Sequence, residues 1–225
     1  MSLVSDLLGK IEKTCTWIGN RSRGGADVLR AHKLSDLLKA HRLTRDIHDG
    51  DAVLDVGCGN GRMLASLSMF RRIRCVGVDM AVPLAYPGIE ARVFDGRRLP
   101  FEDASFDVAM LCFVLHHVTP ADARALLAEV VRVTRRRLFL LEDSLPAFGF
   151  LDRLRNRCHR IDAGLRYRQS STWYRPPRDE SMFLTYDGWR RFLQGVPGVT
   201  AVEVESLAAL GHSHHALLSV ELASG

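Results

Sequence analysis

Nowhere in the 225 residues do about 18 apolar residues run together, so no transmembrane helix is expected. No basic segment followed by an apolar block stands at the N-terminus, and no secretory signal is expected either. The five cysteines, Cys15, Cys58, Cys75, Cys112 and Cys158, contain no C-x-x-C pair. Their odd number and irregular spacing argue against a disulfide framework and predict reduced thiols in a cytoplasmic protein. Lysine is nearly missing: Lys10, Lys13, Lys33 and Lys39 are the only four among 31 basic residues. The net charge of +5 therefore rests on arginine. A GC-rich coding sequence accounts for that more simply than an anionic partner, since net charge bears on solubility and weak association. No internal repeat and no low-complexity tract occurs. The length suits one domain with a substantial core.

What is present begins at Val53-Leu54-Asp55-Val56-Gly57-Cys58-Gly59-Asn60-Gly61-Arg62. An apolar run ends in a carboxylate, and a G-x-G-x-G loop follows at once. The dinucleotide fingerprint G-x-G-x-x-G would need glycine where Arg62 stands, which points away from NAD and towards a ligand without a pyrophosphate. A second apolar run, 73–79, ends in Asp79, about 20 residues past the loop, where ribose-binding carboxylates sit in βαβ nucleotide sites. Next come Ala91-Arg92-Val93-Phe94-Asp95-Gly96, Leu99-Pro100-Phe101, Ser105-Phe106-Asp107-Val108-Ala109-Met110 and Leu111-Cys112-Phe113-Val114-Leu115-His116-His117-Val118.

With these four motifs in this order, residues 45–142 closely resemble the class I S-adenosylmethionine (SAM) dependent methyltransferases, in particular the small single-domain group with D-x-x-x-LPF and LHH segments. The resemblance implies a Rossmann-like fold and SAM as cofactor. It implies that Gly57, Cys58, Gly59 and Gly61 pass beneath the methionine and ribose. Asp55 would orient that loop and reach the SAM amino group. Asp79, with Met80 beside it, would hold the ribose hydroxyls through charge-assisted bonds. Asp95 and Gly96 would meet the adenine, and Cys112 and Phe113 would flank the methionine arm.

The chain departs from the family pattern twice. Between Asp79 and Asp95 the segment is short and carries Pro83, Pro87 and Gly88, so the usual helix there is expected to be abbreviated or lost. The family's Pro-Gly-Gly turn before its fifth strand is replaced by Val133-Thr134-Arg135-Arg136-Arg137.

The predicted architecture is α/β, a doubly wound, mostly parallel seven-stranded sheet with an antiparallel last strand. Strands are expected at 53–56, 74–79, 91–94, 107–111, 137–142, 199–206 and 215–222. Helices are expected at 3–18, 26–43, 60–70, 120–133 and 186–194, with Thr119-Pro120 and Thr185 as start signals. The domain reading is 1–44 for N-terminal helices and 45–143 for the cofactor core. It continues with a helical insertion at 144–182, expected to act as a lid, and 183–225 for the last helix and strands. Carboxylates at the carboxyl ends of the strands would face the ligand.

The candidate catalytic residues are His117, as a general base, and Glu142, at the end of the fifth strand. Against these stand a helix-start hydrogen bond for the His116-His117 pair and a capping role for Glu142. Tyr167, Trp173 and Tyr174 are candidates for the substrate pocket or for packing. Arg153, Arg155, Arg157 and Arg160 could form a solvated helix face, a membrane-surface helix or an anion patch. The Gly211-His212-Ser213-His214-His215 run reads as a polar turn and no metal is expected, because zinc needs three or four convergent ligands. The reading is therefore methyl transfer to a small-molecule acceptor. RNA or protein methylation is the first alternative, although no Asn/Asp-Pro-Pro-Tyr segment follows the fourth strand. A non-catalytic SAM-binding protein is the second.

Overall fold

The computed structural model describes residues 36–81, 86, 88–145, 182–207 and 215–223. Helix α1 covers residues 36–43. It is followed by β1 (Ala52–Val56), α2 (Arg62–Ser68), β2 (Arg74–Asp79), β3 (Glu90–Val93) and β4 (Phe106–Cys112). A single 3₁₀ turn, Leu115–His117, leads to α3 (Pro120–Val133) and β5 (Thr134–Leu145). The last elements are the short β6 (Leu184–Thr185), α4 (Tyr186–Gln194), β7 (Val199–Ser206) and β8 (His215–Leu222).

The strands join in the order β3-β2-β1-β4-β5-β8-β7, with β6 pairing to β5 off that path. β1 to β5 run parallel and β8 is antiparallel to both neighbours. This is the doubly wound sheet with an antiparallel closing strand that the sequence predicts. Strand alternation explains its two covered faces. Leu54, Ala109, Leu111, Leu138 and Leu140 pack on one side with Leu126, Leu127 and Val130 of α3 and with Trp189 and Leu193 of α4. Val53, Val108, Met110, Phe139 and Leu141 pack on the other with Ala40 and Leu43 of α1 and with Leu64 and Leu67 of α2.

Both predicted caps form. The Thr119 hydroxyl accepts from Asp122 N–H at 3.2 Å, and the Thr185 hydroxyl from Gly188 N–H at 3.1 Å. Helix α2 starts at Arg62 rather than at 60, because its cap Gly61 still has φ +81 and the loop must finish first. β5 starts at Thr134, directly after α3, so no separate turn replaces Pro-Gly-Gly. The three arginines there pair with carboxylates at the far end of the sheet. Arg135 meets Asp107 at 2.9 Å, Arg136 meets Asp51, and Arg137 meets Glu221 at 2.8 Å. Such pairs contribute little individually, but they absorb part of the positive charge away from the ligand end. The segment 80–89 includes undescribed residues, so the expected loss of a helix there lies outside the described residues. The same holds for the helix at 3–18, almost all of the 144–182 insertion and the 211–214 part of the histidine run.

Candidate active site

A cavity of about 360 Å³ opens at the carboxyl ends of the central strands. Asp55, Gly57, Cys58, Gly59 and Asn60 line it from the end of β1 and its loop, and Arg62 and Met63 from α2. Cys112 and Phe113 close it from β4, Asp143 from β5, His215 from β8, and Asp36 and Lys39 from α1.

Asp79 fixes the glycine loop. Its Oδ2 accepts from Gly59 N–H at 2.7 Å, and its Oδ1 accepts from Met80 N–H at 2.7 Å. Gly57 has φ +78, and a Cβ there would fall 2.5 Å from Val114 Cγ2, so internal packing as well as backbone conformation requires glycine. Gly59 has φ +52, and a Cβ there would meet nothing within 4 Å. That space is open to a ligand.

Asp55 is 1% exposed and its Oδ1 has no hydrogen-bond partner. Burial first, then the Asp79 carboxylate, pushes its pKa up to about 8. An orphaned buried carboxyl facing a cavity is a place for a donor or a cation. With a folded pKa above the unfolded value of 3.8, Asp55 costs stability increasingly as pH rises from about 4 to about 8. Asp55→Asn should therefore raise the ligand-free melting temperature at pH 8, by an amount corresponding to about 1–3 kcal/mol, while weakening ligand binding. Parallel melts with and without ligand check both halves.

Phe113 is a non-glycine residue at φ +61, a conformation that persists only where its surroundings enforce it. Its ring lies 4.8 Å from the His215 ring and 4.9 Å from the Lys39 ammonium. His215 Nε2 sits 3.3 Å from Asp143 Oδ1. Burial lowers the His215 pKa, against the opposing pull of Asp143. Burial disfavours the thiolate form of both cavity cysteines. Burial and then Asp55 push Cys58 up to about 12, and the same two causes raise Cys112 well above its ordinary value.

Not every predicted residue comes here. Gly61 caps α2, Met80 is 51% exposed, and Asp95 and Gly96 lie on the surface beyond the cavity. Asp95 accepts from Arg97 N–H at 2.9 Å and Arg98 N–H at 3.3 Å, an Asx turn that holds its pKa low. Loop orientation belongs to Asp79 rather than to Asp55, whose side chain makes no hydrogen bond among the described residues.

Glu142 requires correction as a candidate catalytic group. It is 0% exposed and accepts from Val114 N–H at 2.9 Å, Leu115 N–H at 2.7 Å and His116 Nδ1 at 2.8 Å. It pins the turn after β4 and does not border the cavity. His117 also lies away from the cavity lining, its ring 4.2 Å from His116. Burial, then His116, lowers its pKa to about 4, too low for a base poised at neutrality. Tyr167, Trp173 and Tyr174 lie outside the described residues. Asp36, Lys39, Arg62 and His215 were missed as site residues. Their places depend on tertiary contacts, although His215 stood within the polar run singled out.

Residues 54–140 match the family described as a methyltransferase domain. That segment, less than half of the chain, is similar to a methyltransferase domain. A demethylmenaquinone methyltransferase of Mycolicibacterium paratuberculosis is 36% identical over 115 residues, 48% of this chain and 49% of that protein. The protein named "Probable tRNA methyltransferase 9B" of Mus musculus is 31% identical over 87 residues, 38% of this chain and 20% of that protein. The chain thus spans about half the length of the first relative and less of the second. A solved geranyl diphosphate methyltransferase in complex with SAM superposes with TM-score 0.62 at 16% identity, covering 92% of this chain and 94% of that one. That last likeness speaks to fold alone.

SAM is this family's cofactor, and the donor set of the cavity fits it. The orphaned Asp55 carboxyl suits its ammonium, and the open space above Gly59 suits close approach to the backbone. Among the described residues no group of three or more His, Cys, Asp or Glu side chains could hold a metal ion. No described helix is long and apolar enough to cross a membrane.

Proposed function

We propose that the chain transfers a methyl group from SAM to a small-molecule acceptor. When bound, the cofactor supplies a methyl group already activated by its sulfonium. The observation that carries the reading is the continuity of one cavity, from the glycine loop of β1 to Asp143 and His215 at the ends of β5 and β8. In this reading Gly57, Cys58, Gly59, Gly61 and Asp55 hold the methionine side. Asp79 and Met80 hold the ribose where the cofactor leaves the cavity, Asp95 and Gly96 meet the adenine edge on the surface beyond it, and Cys112 and Phe113 lie between cofactor and acceptor. The acceptor enters beside Asp143 and His215. The histidine, oriented by the carboxylate, takes the proton of a hydroxyl acceptor. Most of the rate comes from alignment of acceptor and methyl group in a water-poor cavity. Residues 144–182 act as the lid, with Tyr167, Trp173 and Tyr174 available to the acceptor.

A small molecule is favoured over a polymer because the acceptor end of the site, at Phe113, Asp143 and His215, lies inside a concavity, and several arginines are committed to ion pairs at the other end of the sheet. RNA is the second reading, favoured by the relative named for tRNA. Isotopic methyl transfer from labelled SAM separates the two. Phenols, quinols and other small apolar acceptors are offered beside total tRNA. Label in a small acceptor is the expected result, and label in RNA alone overturns the reading.

A further inference from the structure

The charges around the cavity do not cancel in pairs. Of its three acids, Asp36 meets Arg62 at 2.5 Å and Asp143 meets His215 at 3.3 Å. Asp55 has no cation within ion-pairing distance among the described residues. Lys39 is the converse case. It is 5% exposed, and no described carboxylate lies within 4.0 Å of its ammonium. Its one described contact of a polar kind is the face of Phe113, 4.9 Å away, a partial substitute for water. Burial accordingly lowers its pKa, against the pull of Asp36. An ammonium and a carboxyl, both buried and both without a partner of opposite charge, thus face one cavity. Each is costly to the fold on its own, and one ligand carrying a cation and an anion close together would satisfy both.

Building on the cofactor reading above, we propose that Lys39 binds the α-carboxylate of the cofactor's amino-acid head while Asp55 receives its α-ammonium. Helix α1 would then be a part of the cofactor site that none of the glycine and carboxylate motifs announces. Lys39 becomes the residue that distinguishes intact SAM and S-adenosylhomocysteine from nucleosides lacking the amino-acid head. Phe113, with its enforced backbone, holds the ammonium in place when the cavity is empty.

The test is calorimetry with two probes, S-adenosylhomocysteine and 5′-methylthioadenosine. The second keeps the adenosine and the sulfur and lacks the amino-acid head. Lys39→Met should weaken S-adenosylhomocysteine roughly 10- to 100-fold, the worth of a charged hydrogen bond. The same variant should bind 5′-methylthioadenosine within about threefold of wild type. Lys39→Arg, which keeps the charge, should recover most of the loss. Methionine in a buried site is expected to fold, and thermal melts of both variants verify that. Equal weakening of both probes, or no weakening of either, overturns the proposal, the latter leaving Lys39 to face the acceptor. Failure of wild type to bind S-adenosylhomocysteine at all is a separate result, which overturns the cofactor reading itself.

Discussion

Asp79→Ala is expected to weaken S-adenosylhomocysteine binding by about 100-fold or more while the protein still folds. Two contributions add. The Asp79 carboxylate holds the loop from beneath through Gly59 N–H and Met80 N–H, both at 2.7 Å. In the proposed site it also accepts from the ribose hydroxyls, with each charge-assisted bond worth about 1.5–3 kcal/mol. Alanine removes both contributions, so the loop loses its tether as the ligand loses its partner. The core clusters do not include this side chain, so a cooperative melt should survive. Calorimetry on the folded variant measures the affinity, and an unchanged Kd would mean that the ribose is held elsewhere.

Glu142→Ala should be the most damaging single substitution to stability, at about 3–5 kcal/mol, the cost of breaking a buried pair by removing one partner. For a chain of this length that corresponds to a fall in melting temperature on the order of 10 °C. The carboxylate satisfies Val114 N–H and Leu115 N–H and the His116 ring together. Its loss removes this shared acceptor from two backbone donors and from His116 Nδ1. Burial works against a charged His116, but Glu142 outweighs it and the net pKa is raised. The stability from that raised pKa is complete below the ordinary imidazole value of 6.5 and is lost as pH rises through the raised one. The gap between wild type and Glu142→Ala should therefore narrow towards alkaline pH, and melts across that range measure it.

The correction at Glu142 shows how far the sequence could be read. Position at a strand end was legible, because parallel strands buried on both faces appear as continuous apolar runs closed by an acid. The facing of each acid depends on which side of the sheet its neighbours cover. Phe139 and Leu141 pack towards α1 and α2, whereas Leu138 and Leu140 pack towards α3 and α4. Alternation then puts Asp143 on the cavity side and Glu142 on the other. Asp55 shares its face with Val53 by the same parity and lines the cavity. Helix α4 was bounded well because Thr185 caps it. The start of α2 was placed two residues early, since the left-handed turn at Gly61 is a property of the loop as a whole. Lys39 and Asp36 reach the cavity only through the packing of α1 on the sheet, and His215 only through the antiparallel register that sets it opposite Asp143. No local pattern encodes such distant pairings.

Titration of the full chain with S-adenosylhomocysteine, with NAD as the control, tests the central claim most directly. The account predicts saturable binding of S-adenosylhomocysteine and a rise in thermal stability of about 2.7 kcal/mol at a hundredfold excess over Kd, with no response to NAD. No shift with S-adenosylhomocysteine, together with a clear shift for NAD, would contradict it.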